Sequence, residues 1–347
     1  MTAHMGDVGE KNFISELLSR LTPTEVFVNG FGHDASVVDF GQSDGKIVFK
    51  IDRAAQPIAV NRGWADYRIW GRLAVTTTCS DILVTGGIPT AFMVAAIVPR
   101  EFLVEDLMEV IEGVCEECQK GDVAFVGGDT KEGPHPELVG SGIGKLVSPD
   151  PYGRFGANEG DLLVVAGDVG GYLGAYHLLD RGIESPEAPG WVEYVANPTA
   201  QWEAGIAMAK LGAAVAAMDC SDGLYEAAKT ISNGFGCRIY ERALPYHRHA
   251  VVAEDAVGIP RLSSALGVGD WNILYAVSPS DVDRVLAAVP NVVVVGEIGC
   301  SAGGRVLAVD SNGYERSIKP IVNEHFVTRQ EDEGEYVNGL VSDPYAE

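Results

Sequence analysis

Apolar residues along this chain recur with two different periods. Runs rich in Val, Ile and Leu fall at 35–39, 46–51, 92–98, 123–126 and 138–147, and again at 162–166, 215–218, 238–241, 273–277, 292–295 and 305–309. They predict β-strands, because a strand turns successive side chains to opposite faces and suits β-branched residues. Stretches with apolar residues three and four apart predict amphipathic helices at 12–21, 66–84, 104–120, 172–180, 201–211, 224–233 and 279–288. Strands and helices mixed in this way indicate an α/β (α+β) architecture.

The strongest interruption is the segment SPDPYGRFGANEGD at 148–161, where prolines and glycines separate two apolar strands. It divides the chain into a domain at 1–150 and a second at 151–329. The remainder, 330–347, carries Glu331, Asp332, Glu333, Glu335, Asp343 and Glu347 among few apolar residues, and reads as a flexible acidic tail.

Composition narrows the picture. A length of 347 residues suits about two domains, with enough core to need no covalent staples. The six cysteines read as reduced thiols, and the polar start does not read as a signal peptide, so the cytoplasm is the expected compartment. No apolar run is long enough for a membrane span. A net charge of −24 disfavours nucleic acid and anionic membranes as partners. It leaves small phosphates open, because aspartates can recruit them through Mg²⁺.

The chemistry gathers on aspartates at the ends of apolar runs, often beside glycine. Asp34 enters a strand after Gly32-His33, Asp52 ends the run from Ile47, and Asp81 follows Cys79-Ser80 in a helical pattern. Asp129 lies in Gly127-Gly128-Asp129-Thr130; Asp219 and Asp222 share Asp219-Cys220-Ser221-Asp222-Gly223. Each also fits a plainer role, Ser221 or Asp222 as a helix cap and the Gly-Gly-Asp-Thr stretch as a turn. As a set, they suit a shared Mg²⁺ cluster, since hard cations take carboxylate oxygens and leave positions for water and phosphate. Other motifs offer less. Cys115 and Cys118 form a CxxC with no second pair, so zinc is not expected. His247 and His249 alternate as on a strand or loop and read as solvated. Gly170-Gly171 and Gly174 follow a strand but lack the ending of a Walker A loop.

With these residues in this order, the chain resembles the superfamily of aminoimidazole ribonucleotide (AIR) synthetase, thiamine-monophosphate kinase and selenophosphate synthetase. A hydrogenase-maturation protein that dehydrates a thiocarboxamide belongs to it too. The matching motifs are Gly30-Phe31-Gly32-His33-Asp34-Ala35, Lys50-Ile51-Asp52, Ser80-Asp81 through Pro89, the intact Gly127–Thr130 and Asp219–Leu224 stretches, and Gly160-Asp161. The resemblance implies a two-domain AIR-synthetase-like fold, a homodimer built through the N-terminal sheets, and ATP bound with Mg²⁺. It implies Asp34, Asp52, Asp81, Asp129, Asp219 and Asp222 as metal ligands. Gly127, Gly128, Thr130, Arg154 and Ser221 would meet ATP.

Departures from the kinase pattern bear on the acceptor. Arg53 and the residues after it stand where the kinase has Gly-x-His-Phe, and Gly269-Asp270-Trp271 stands where it has Glu-Asp-Tyr. Arg53, Gly269, Asp270 and Trp271 are therefore the candidate substrate contacts, and thiamine monophosphate is not the expected acceptor. Lys50 and Ile51 replace two hydroxyls before Asp52 and bring a cation nearby; with His33, Lys50 is the candidate catalytic side chain. The expected activity is in-line transfer of the γ-phosphoryl group of ATP to a small molecule. A ligase or cyclase of the AIR synthetase type, or a silent ATP-binding homologue, is the alternative.

Overall fold

A computed structural model describes residues 5–41, 45–299, 304–321 and 343–345. The first sheet holds β1 (Ser36–Val38), β2 (Ile47–Ala54), β3 (Gly87–Val98), β4 (Ala124–Glu132) and β5 (Glu137–Leu146), in the order β1-β2-β5-β3-β4. Its pairs are antiparallel except β3 and β4, as expected where a helix makes the crossover. The second sheet holds β6 (Leu162–Ala166), β7 (Ala214–Asp219), β8 (Cys237–Tyr240), β9 (Ile273–Val277), β10 (Val292–Ile298), β11 (Val306–Val309) and β12 (Glu315–Ser317), in the order β12-β11-β8-β10-β6-β9-β7.

Twelve α-helices are described. They are α1 (Met5–Val8), α2 (Glu10–Arg20), α3 (Ile58–Asn61), α4 (Arg68–Leu83), α5 (Val104–Lys120) and α6 (Gly171–Asp180), followed by α7 (Ala188–Ala196), α8 (Trp202–Leu211), α9 (Leu224–Ile231), α10 (Arg248–Val257), α11 (Arg261–Leu266) and α12 (Val282–Ala288). Among the described residues no helix is long and apolar enough to cross a membrane.

α4 is the centre of the molecule. One side lies on the first sheet; Trp70, Ala74, Val75, Cys79 and Leu83 share a core with Val164 and Ala166 of β6, Ala204 and Met208 of α8, and Ile273 and Tyr275 of β9. The 148–161 segment therefore separates two sheets that share this core, although the second sheet keeps another of its own on its far face, with Leu163, Val165, Leu274 and Ala276. Helix α5 tethers the halves as well. Glu117, fully buried, accepts hydrogen bonds from Thr199 Oγ1 at 2.6 Å and Trp202 Nε1 at 2.8 Å, and its other oxygen meets Lys120 Nζ at 2.7 Å.

Some expectations change. β4 continues through Gly127–Glu132, so the Gly-Gly-Asp-Thr stretch is an edge strand rather than a turn. His247 and His249 are not solvated strand or loop residues. His247 precedes α10 and its Nδ1 accepts from the His249 amide at 3.2 Å, while His249 is buried on that helix. Gly174 of α6 lets α10 approach so closely that a Cβ there would fall 2.5 Å from the His249 carbonyl carbon. Cys115 is exposed and Cys118 buried on α5. Of the tail, 343–345 are described. Tyr345 bridges to Ile318 and donates to Glu241 at 2.6 Å; the rest of the tail, and Cys300, lie outside the described residues.

Candidate active site

The site begins with three glycines on β5. Gly140, Gly142 and Gly144 face α4, and a Cβ at Gly140 or Gly144 would fall 2.4 or 2.5 Å from Thr78 Oγ1 or Ile82 Cγ2. With no side chains between them, the helix lies low on the sheet. Asp81, near its end, then reaches Lys50 on the adjacent β2, where Lys50 pairs in register with Gly142 and Asp52 with Gly140. Asp219 ends β7, and Asp34 precedes β1. Oxygens of Asp34, Asp81 and Asp219 all lie within 4.8 Å of one another, and the three residues are buried.

Two cations enter this cluster. Lys50 Nζ is ion-paired with Asp81 and lies 3.6 Å from Asp52 Oδ2. Arg154, from the segment joining the sheets, donates from Nε and Nη2 to Asp34 Oδ1 at 2.9 and 2.5 Å. Burial pushes the Asp81 carboxyl well above its ordinary range, against the pull of Lys50. Burial and then Asp34 push Asp219 up to about 6, although the Ser221 hydroxyl donates to its Oδ1 at 2.9 Å. For Lys50, burial disfavours the charge, but Asp81 and Asp52 outweigh it and raise its pKa. Converging buried carboxylates repel unless a cation joins them. An all-oxygen set of this kind fits Mg²⁺, which takes one or two carboxylates and completes its shell from water and phosphate.

Ser221 links the cluster to a cavity of about 290 Å³. Its walls include Pro57, Tyr172, Tyr194 and Trp271, with Asp168, Gly269 and Asp270 among the polar or open positions. Gly269, Asp270 and Trp271 thus meet at this cavity. The Asp270 carboxylate, however, is already engaged. It accepts from the amides of Gly170 and Tyr172 at 2.6 and 2.7 Å and from Tyr194 Oη at 3.2 Å, so it caps α6. The anion-binding start of that helix is filled by the chain's own carboxylate. Burial still pushes Asp270 up to about 6, the amide hydrogen bonds offsetting only part of the cost.

His33 is half-buried beside Arg154, whose amide donates to its Nδ1 at 3.3 Å, and burial lowers its pKa. Asp222 occupies the turn after Ser221 that leads into α9. Five candidates, Arg53 and the Gly127–Thr130 residues, fall elsewhere within one chain. The register aligns Arg53 with Val139, Val139 with Ala95 and Ala95 with Asp129, one row across the sheet. That row points away from α4, opposite to the row of Asp52 and Gly140. Asp129 is 62% exposed and 3.4 Å from Lys131, and Arg53 pairs with Glu137 at 3.7 Å. Gly127, Gly128 and Thr130 share that edge strand. The cavity walls Tyr172, Tyr194 and Asp168 were not singled out from sequence, whereas Pro57 belongs to the stretch after Arg53 that was. Tyr194 lies on α7, whose Pro-Gly start hides a helix, and Tyr172 follows the Gly170-Gly171 pair that could have marked it.

Residues 32–146 match the family described as AIR synthase related protein, N-terminal domain. Thiamine-monophosphate kinase of Mycobacterium tuberculosis is 30% identical over 265 residues, 76% of each chain. The chain belongs to the AIR synthase and thiamine-monophosphate kinase superfamily. Thiamine-monophosphate kinase of Methanopyrus kandleri is 28% identical over 300 residues, 86% of this chain and 89% of that one. The fold is shared with AaThiL solved with AMPPCP and TMP, at 20% identity and a TM-score of 0.75, covering 92% of this chain and 98% of that one. It is also shared with a HypE–HypF complex chain at 22% identity and 0.65, covering 88% and 99%. The chain is a kinase-like enzyme of this superfamily.

Proposed function

We propose that the enzyme transfers the γ-phosphoryl group of ATP in line to a small acceptor held in the cavity beside Ser221. The observation that carries this reading is the contact between Ser221 and Asp219, which sets a carboxylate cluster against an aromatic-walled cavity. Phosphoryl transfer needs chiefly positioning and charge neutralisation, and these two features supply one each. The relatives named thiamine-monophosphate kinase add to it.

Asp34, Asp81 and Asp219 would hold Mg²⁺, while Asp52 joins the cluster through Lys50. Bound there, the metal supplies positive charge to the phosphates. Arg154 and Ser221 stand beside those carboxylates and suit contacts to ATP. Tyr172, Tyr194 and Trp271 favour a flat acceptor that stacks. Gly269 provides no carboxylate and Arg53 lies on the far side of the sheet, so the acceptor is one other than thiamine monophosphate.

Asp129, Asp222 and the Gly127–Thr130 strand would act through a second copy or through the nucleotide itself. The face that carries Asp129 is apolar and exposed at Ile51, Met93, Val126 and Ile143. Such a patch marks an interaction surface, and a homodimer through the N-terminal sheets would bury it.

Calorimetry with a non-hydrolysable ATP analogue, with and without Mg²⁺, tests the reading. Mg²⁺-dependent binding that collapses in Asp219→Asn is expected; absence of binding in wild type under both conditions would sink it. Product analysis with candidate acceptors then separates a kinase, which leaves a stable phosphorylated product, from a cyclase, which releases free phosphate.

A further inference from the structure

Lys50 does not point toward the cavity. Its chain runs from the middle of β2 under the end of α4, and its ammonium lies on Asp81 and 3.6 Å from Asp52 Oδ2. Those two carboxylates come from different elements and share this one cation. The side chain is only 21% exposed, hemmed in by the helix that the β5 glycines admit. The charge count is informative. Asp34, Asp52, Asp81 and Asp219 bring four negative charges, and Lys50 and Arg154 return two. Two negative charges remain uncompensated, the charge of a single divalent ion.

We propose that the Lys50 ammonium is a built-in cation that takes the place of one divalent ion between Asp81 and Asp52. The remaining metal position lies toward Asp34 and Asp219, on the side of Ser221. This inference rests on the metal–nucleotide reading above. It assigns Lys50 a positioning role, as a fixed charge that holds two carboxylates, in place of the catalytic contact near the acceptor that the sequence suggested. A strongly hydrated point charge on a flexible stem can fill such a gap, whereas a planar guanidinium matches it less well.

The test counts ions. Mn²⁺ binding to the full chain is measured by electron paramagnetic resonance, with and without the ATP analogue, for wild type, Lys50→Thr and Lys50→Arg. Thermal melting is followed in parallel. Lys50→Thr is expected to bind one more Mn²⁺ per chain than wild type, and its melting temperature is expected to rise more steeply with added Mn²⁺. Lys50→Arg, which keeps the charge, is expected to keep the wild-type count. An unchanged count in folded Lys50→Thr would overturn the proposal. So would a Lys50→Thr chain that stays unfolded with and without Mn²⁺, whereas folding restored by Mn²⁺ supports it. A wild-type count of zero with nucleotide present counts against the metal–nucleotide reading; the difference between variant and wild type judges Lys50.

Discussion

Arg154 places both of its donating nitrogens on the same oxygen of Asp34, at 2.9 and 2.5 Å. Its backbone sits in the joining segment, one residue after Gly153, whose carbonyl accepts from the Ala217 amide of β7 at 3.0 Å. One side chain thus ties the joining segment, the first sheet and the carboxylate cluster together. Arg154→Lys keeps the charge but loses the fork that grips one oxygen from two positions. The expected result is a roughly tenfold weaker affinity for the Mg²⁺–nucleotide analogue, about 1.4 kcal/mol, read by calorimetry. Arg154→Ala is expected to lose more. An unchanged affinity in Arg154→Ala would separate this residue from the site.

Gly142 faces Lys50 in register and α4 across the layer. A methyl group there would lie 2.8 Å from Thr78 Cγ2 and 2.9 Å from Ile82 Cδ1. Gly142→Ala is expected to cost about 1–3 kcal/mol through overpacking, seen as a lower denaturation midpoint. Because the helix must lift, Asp81 moves with it, so analogue affinity should fall too. Loss of stability with full affinity would show that α4 can tilt without disturbing Asp81.

Glu117 anchors the other tether. Its replacement by Ala leaves the Trp202 indole and the Thr199 hydroxyl without their acceptor and Lys120 without its partner. Leaving these two neutral donors without an acceptor costs about 1–3 kcal/mol each, and the part-exposed Lys120 adds little. Glu117→Gln retains one acceptor oxygen and is expected to cost less than half as much. Denaturant unfolding followed by tryptophan fluorescence checks both.

His177 and His249 are buried, and each is held down at about 4, by burial first and then by neighbouring positive groups. The unfolded chain binds protons at these positions from pH ~6.5 downward, and the folded chain resists until about 4. Stability therefore declines as the pH falls through that window. For one such histidine the expected loss between pH 8 and pH 5 is roughly 2 kcal/mol. Comparing wild type with His177→Leu isolates it, because other titrating groups are common to both. The variant should lose about that much less stability on acidification; parallel pH profiles would contradict the assignment.

The two sheets and the longer helices were legible because β-branched runs and three-to-four spacing write themselves along the chain. Helices α7, α10 and α11 were not, since they begin at Pro-Gly, at paired histidines and after a proline, all of which read as breaks. In the site, Asp34, Asp81 and Asp219 could be named from their positions at the ends of apolar runs. That Asp129 faces away from them could not, because the side of a sheet on which a residue falls depends on pairing register. The capping role of Asp270 was equally hidden, for its partners lie about a hundred residues away in the chain. Lys50 was conspicuous as a substitution, but only the close seat of α4 shows which carboxylates it serves.

The burial of α4 from both sides carries a cost in time. One face is covered as soon as the first sheet forms, but its other partners, Met208, Tyr275 and Val285, come roughly 125–200 residues later. At about 5–20 residues per second on the ribosome, Leu83 and Cys79 wait on the order of 10–40 s for the last of that cover. During that interval the emerging chain displays an oily helix surface, and a cell making this protein must either shield it or tolerate its sticking.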